Sequence, residues 1–155
     1  MKDLDELTAW TGALLRRLDA KQRRTLMRAI GTELRRRQTA RIAEQRNPDG
    51  SAYEPRKRQL RQRVGRVRRT MFARLRTSRH LRARGDADMA VVRFVGGARR
   101  IAEVHHYGLR DRVNRGGLEV EFARRELLGL EDGDVEWLGD VVLAHIVIDR
   151  LHAAP

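Results

Sequence analysis

Between Arg56 and Arg84 the chain reads RKRQLRQRVGRVRRTMFARLRTSRHLRAR, thirteen Arg and Lys side chains without one Asp or Glu. A run so dense in like charge cannot be folded into an interior, because each guanidinium taken out of water needs a partner that this stretch does not supply. Most of the apolar residues lie in the segments on either side. The run itself must lie at a surface, or against something acidic.

Those flanking segments belong to a chain of 155 residues, enough for one domain with a single modest core. The basic excess extends beyond the run: 34 Lys and Arg oppose 21 Asp and Glu, for a formal charge of +13. Only Lys2, Lys21 and Lys57 are lysines. Arginine suits bidentate pairing with carboxylate as well as phosphate, and an arginine bias also follows from GC-rich coding DNA, so charge alone does not name a partner. From Glu119 to Pro155 the balance reverses, with nine acids against three arginines. The chain is polarised, and a basic surface on one copy can meet an acidic surface on the next. Head-to-tail contacts of that kind close into rings.

Hydrophobic periodicity places the elements. Leu4, Leu7, Thr11, Leu14, Leu15 and Leu18 share one face, which predicts a helix over about 3–18. Asp19 with Gln22 three residues on is a helix start. Leu26, Ile30, Leu34 and Ile42 carry that second helix to about Arg46, where Asn47-Pro48-Asp49-Gly50 ends it. The first 46 residues thus read as a helical hairpin. From Ser51 to about Val67 the chain is polar and basic with few apolar anchors, which predicts a loop or arm spanning about 51–69. Met71, Phe72 and Leu75 suggest a short helix.

Farther on, HLRAR and MAVVRFVG flank Gly85-Asp86-Ala87-Asp88 as a hairpin, with Ala90, Val92 and Phe94 on one face. Ala98 to Tyr107 predicts a short helix that turns Ile101, Val104 and His105 toward the sheet and stops at Gly108. LRDRVNRGG reads as a polar loop, and LEVEF, with Leu118, Val120 and Phe122 alternating, as a third strand. Leu138, Val141, Val142, His145 and Ile146 predict a C-terminal helix from about Asp132 to Leu151. The expected class is α+β: an N-terminal helical hairpin, a small antiparallel sheet with a short helix, and a C-terminal helix, in a single domain over 1–155.

A search for chemistry finds little. With no cysteine, disulfides, thiolate metal sites and cysteine nucleophiles are excluded. The only serines, Ser51 and Ser78, sit in no nucleophile elbow, and no glycine-rich phosphate loop is present. His105 and His106 point about 100° apart on a helix. Glu103 and His106 can meet at i, i+3, which supplies two metal ligands at most. On this reading His105 packs the helix, His106 lies at the surface, and neither cofactor nor catalytic residue is expected. MKDLDELTAW lacks the apolar core of a signal peptide, and no run approaches the roughly 18 apolar residues of a membrane span, so synthesis in the cytoplasm is expected.

The basic run has three readings. A duplex-DNA-binding arm would place its arginines on phosphates. A single-strand groove would need interleaved aromatics, and Phe72 is the only one there. The third is an exposed surface or arm that docks on neighbouring subunits, through Arg56, Lys57, Arg58, Arg61, Arg63, Arg66, Arg68 and Arg69. Trp10 and Trp137 are packing residues of the two amphipathic helices or anchors at a subunit interface.

The stretches QRNPDGSAYEPRK, MFARLRTSRHLRAR, VHHYGLRDRV and ARRELLGL, in this order, give the chain from about Leu14 to Leu143 a resemblance to a known family. It resembles the phage virion morphogenesis family, the tail completion proteins of P2-like and Mu-like contractile-tailed phages. That resemblance implies a non-enzymatic virion protein at the head-proximal end of the tail, assembled as a ring of six around the tail axis. Its partners would be further copies of itself, the tail tube or terminator, and the head-neck connector, with duplex DNA passing through and no membrane. The reading from a different class is a small basic duplex-DNA-binding protein.

Overall fold

The computed structural model describes residues 18–56, 70–112 and 116–152, together with Asp5, Glu6, Ala9, Gly12 and Arg16. The fold is α+β. Its described elements are α1 (Ala20–Ala43), β1 (Leu81–Gly85), β2 (Ala90–Phe94), α2 (Ala98–Tyr107), β3 (Arg110–Arg112), β4 (Glu119–Glu121) and α3 (Asp132–His152). Most of the helix expected over 3–18 lies outside the described residues, although Asp5, Glu6, Ala9 and Gly12 are helical. These residues gather into two compact units. One holds the described residues within 1–36, 83–92 and 130–155; the other holds those within 37–82 and 93–129.

In the first unit α1 begins with a reciprocal cap. Gln22 donates its backbone N–H to Asp19 Oδ1 at 2.8 Å, and Asp19 returns its own N–H to Gln22 Oε1 at 2.7 Å. The core is built from Leu18, Leu26, Met27, Ile30, Val142 and Ile146, with Leu34, Ala90, Trp137, Leu138 and Val141 packed partly against it. Gly85 lies so close to α1 that a Cβ there would stand 2.5 Å from the backbone of Met27 and Arg28. The turn after Gly85 is closed by Asp86, whose Oδ1 accepts the N–H of both Asp88 and Met89 at 2.9 Å. Those N–H groups hold the Asp86 carboxyl below the usual carboxylate range. At the start of α3 the fully buried Asp134 accepts the Glu131 N–H at 3.1 Å, while Asp132 and Asp134 place negative charge at the positive end of the helix.

In the second unit Ile42, Tyr53, Leu75, Leu81, Phe94, Ala98, Ala102, Val104 and Leu127 are buried. The β1–β2 hairpin is closed at its base by Val95 N–H donating to the His80 carbonyl at 2.8 Å. As expected, α2 runs from Ala98 to Tyr107 and stops at Gly108, which adopts the left-handed φ of 67° that favours glycine. Ile101, expected to face a sheet, is exposed, while Val104 is buried.

Three expectations need correction. LEVEF is not a third strand beside the hairpin: Glu119–Glu121 pairs antiparallel with Arg110–Arg112, inside the stretch read as a loop. Charge sets this second ribbon, with Arg110 opposite Glu121, and Arg112 opposite Glu119 at 3.5 Å. Its apolar alternation marks no buried face, since Leu118 is 85% exposed. Met71 to Leu75 forms turns instead of a helix, because Phe72 takes a left-handed φ of 63°. His106 is half-buried and engaged, as described below, and not a free surface residue.

Candidate assembly site

The basic segment predicted from sequence falls largely outside the described residues: Lys57, Arg58, Arg61, Arg63, Arg66, Arg68 and Arg69 all do, as does Trp10. Arg56 is described and exposed. Trp137 is partly buried against the core of the first unit. What the structure does describe is how the two ends of the segment are held.

The leading end is fixed from Asn47 onward. Asn47 N–H donates to the Ser51 carbonyl at 2.8 Å, Gly50 N–H to the Asn47 carbonyl at 3.0 Å, and the Ser51 N–H to Asp49 Oδ1 at 2.9 Å. Gly50 needs to be glycine, because its φ is 82°. The chain then returns past the end of α1, with Tyr53 N–H on the Gln45 carbonyl at 2.7 Å. The buried Tyr53 ring sends its hydroxyl to the Glu126 carbonyl at 3.2 Å, and burial pushes its pKa up to about 12. One residue later Arg125 takes hold. Its Nε donates to the Glu54 carbonyl at 2.7 Å and its Nη2 to the Pro55 carbonyl at 3.2 Å.

The trailing end is held by Gln45. Its amide accepts the Met71 N–H at 2.9 Å and donates to the Met71 carbonyl at 3.0 Å. Gln45 itself has a left-handed φ of 61°, the conformation that ends α1 and aims the side chain at Met71. Phe72 then wedges edge-to-face between Tyr53, at 5.8 Å between ring centroids, and His105, at 4.9 Å; His105 meets Phe122 at 4.9 Å. The leading root is thus pinned to a framework beyond the second ribbon, and the trailing root to the end of α1 and the rings of Tyr53 and His105.

That framework is the irregular stretch from Ala123 to Gly129, which side chains hold in place of a sheet ladder. Arg41, 3% exposed, donates to the carbonyls of Arg46, Glu126 and Leu127 and to Gln38 Oε1. Gln38 also brackets Gly129, donating to its carbonyl at 2.8 Å and accepting its N–H at 3.2 Å. Asn47 Oδ1 accepts the Glu126 N–H at 2.9 Å, and His106 Nδ1 accepts the Leu127 N–H at 3.2 Å. Accepting at Nδ1 favours the neutral imidazole of His106. Burial depresses its pKa, with Arg124 and Arg41 adding to the effect and Glu126 opposing it. Burial depresses His105 as well, joined by the charges of Arg125 and Arg56.

Sequence reasoning missed Gln38, Arg41, Gln45 and Arg125, which hold the backbone on either side of the basic segment or the stretch that Arg125 belongs to. One signal was present: Gln38 occupies the position in the α1 stripe, between Leu34 and Ile42, where an apolar residue belongs. Among the described residues no three His, Asp or Glu side chains gather as metal ligands would, and no helix is long and apolar enough to cross a membrane. The arrangement contains no nucleophile with a base beside it. It fixes the backbone on either side of the basic segment.

The blocks it joins, QRNPDGSAYEPRK, VHHYGLRDRV and ARRELLGL, are the ones that carried the resemblance. The sequence model of the phage virion morphogenesis family matches residues 2–147. The chain is 38% identical to "Tail completion protein S" of Escherichia phage P2 over 135 residues, which cover 86% of this chain and 90% of that protein. No solved structure matches.

Proposed function

Since the chain belongs to the phage virion morphogenesis family, we propose that it is a structural tail protein that completes the head-proximal end of a phage tail for joining to the head. It acts as one domain over 1–155, in a ring of six copies around the tail axis. The ring contacts the tail tube or terminator on one side and the head-neck connector on the other. It works in the virion and is assembled in the host cytoplasm, and no catalytic residue or cofactor is assigned to it. The single structural observation that supports this reading is the clamped base of the basic segment. Arg125 at one root and Gln45 at the other hold the two ends of a charged segment whose sequence offers few apolar anchors, as would suit a chain that reaches for a neighbouring subunit or tube. Arg56, Lys57, Arg58, Arg61, Arg63, Arg66, Arg68 and Arg69 are the contact residues of that loop, with Trp10 and Trp137 as interface anchors.

The test is a phage or lysogen in which the gene is disrupted. Filled heads and separate tails should accumulate, and purified protein added to the lysate should restore joined, infectious particles. Normal particles from the disrupted strain would refute the proposal. The net charge of +13 favours one other reading, a small duplex-DNA-binding protein. It predicts binding to random duplex that falls steeply with salt and a disrupted strain that still joins heads to tails.

A further inference from the structure

In the first unit, Arg24 and Arg28, one turn apart on α1, line a cleft of about 550 Å³ with Thr32, and Arg84 and Asp86 of the hairpin complete it. The close approach at Gly85 brings the hairpin to the helix and so places Arg84 with the two helix arginines. Arg24, Arg28 and Arg84 are exposed, and none has a hydrogen bond or ion pair among the described residues. Asp86, the one acid in the lining, is occupied with the N–H groups of its own turn. The charges of Arg84 and Arg24 also act on Asp86, so the cleft sets three arginines against one carboxylate and stays cationic on balance.

The same unit carries a surface of opposite kind. One face of α3 is buried through Val142 and Ile146. Glu136, Asp140, Leu143 and Val147, spaced by four, three and four, fall on the opposite face, and all four are exposed, Leu143 by 43% and Val147 by 55%. Neither carboxylate has a partner among the described residues. An acid pair at i, i+4 matches in spacing an arginine pair at i, i+4, each with about 5–6 Å between Cβ atoms. The apolar half of the stripe also has a counterpart, since Met89, across the turn from Asp86, is 55% exposed.

We infer that the outward stripe of α3 on one copy docks into the Arg24–Arg28–Arg84 cleft of the next, with Leu143 and Val147 against Met89. Two different surfaces of one chain then form a heterologous contact, the kind that propagates head to tail and closes into a ring. Nucleic acid fits the arginines but leaves the apolar half of the stripe and Met89 without a role. The inference rests on the ring reading and specifies its interface.

The experiment uses two full-length variants, Arg24→Glu/Arg28→Glu and Glu136→Arg/Asp140→Arg, followed by light scattering at low salt. All four positions are exposed on helices, so melting curves should stay close to wild type; if a reversal fails to fold, Arg24→Gln/Arg28→Gln and Glu136→Gln/Asp140→Gln replace it. Wild type should associate, each variant alone should associate roughly tenfold or more weakly, and an equimolar mixture of the two reversals should regain assembly, because each now carries the complement of the other. A mixture that stays dissociated, or either variant associating like wild type, overturns the inference. So does a cleft variant that assembles normally but loses binding to a random duplex, which would give the cleft to nucleic acid. A wild-type chain that stays monomeric at every concentration overturns this docking too. It would leave the tail-completion proposal standing, since that is read from heads and tails in lysates.

Discussion

Arg125 Nε donates to the carbonyl of Glu54 at 2.7 Å across 71 residues of sequence, and so a side chain beyond the second ribbon holds the backbone where the basic segment begins. Arg125 is 5% exposed and takes its partners from carbonyls of Glu54, Pro55 and Ala123. A planar fork reaches several acceptors at once, which a lysine cannot do. Arg125→Ala should therefore lower unfolding free energy by about 2–4 kcal/mol, and Arg125→Lys by about 1–2 kcal/mol, in urea denaturation. Equal stability of Arg125→Lys and wild type would mean that the fork geometry does not matter.

Gln45 makes an unusual prediction about glycine. Ala is ordinarily the better residue inside a helix, but Gln45 lies just past the end of α1 with a φ of 61°. Both Gln45→Ala and Gln45→Gly lose the two bonds to Met71, while only glycine relieves the left-handed backbone. Gln45→Gly should be the more stable of the two by about 1 kcal/mol. The reverse order in thermal melts would contradict the assigned backbone.

Burial depresses the pKa of His106, so the unfolded chain takes up this proton at a higher pH than the folded one. Above about pH 6.5 both states are neutral and the group has no effect on pH dependence. As pH falls from there to the depressed folded value, the unfolded state is favoured and stability declines. His106→Asn, which keeps an acceptor near the Leu127 N–H, should flatten the melting temperature between pH 7 and pH 5. An unchanged slope would exclude His106 as a source of the acid sensitivity.

Gly85→Ala tests the close approach of hairpin and helix. Its Cβ would stand 2.5 Å from the α1 backbone, and backbone cannot swing aside as a flexible side chain can. The expected loss is about 3 kcal/mol or more, whereas Gly97→Ala, with nothing within 4 Å, should change stability little. Similar effects for the two would argue against that packing.

Much of the fold was legible because it depends on local chemistry. Asp19 and Gln22 cap α1, Gly108 stops α2 in a left-handed turn, and Asp132 begins α3, each within a few residues of its cause. The candidate site was not legible in the same way. Arg41 reaches Glu126 across 85 residues, and its partners are carbonyls, which every residue has. No side-chain pattern announces such a bond. β3 was missed because Arg110, Asp111 and Arg112 have no apolar member, and what marks their pairing is the two glutamates opposite the two arginines on β4. Phe72 was misread because a bulky residue rarely accepts positive φ, and here its ring is held between Tyr53 and His105.

In the proposed function, the residues that hold its two ends present the basic segment to a neighbour. The most direct measurement replaces residues 57–69 with a Gly-Ser linker of equal length and scores both the melting temperature and the recovery of infectious particles in a gene-disrupted strain. The melting temperature should stay close to wild type, since Arg125 and Gln45 still hold both roots, while particle yield should fall to that of the disrupted strain. Full infectivity from the linker variant would contradict that function.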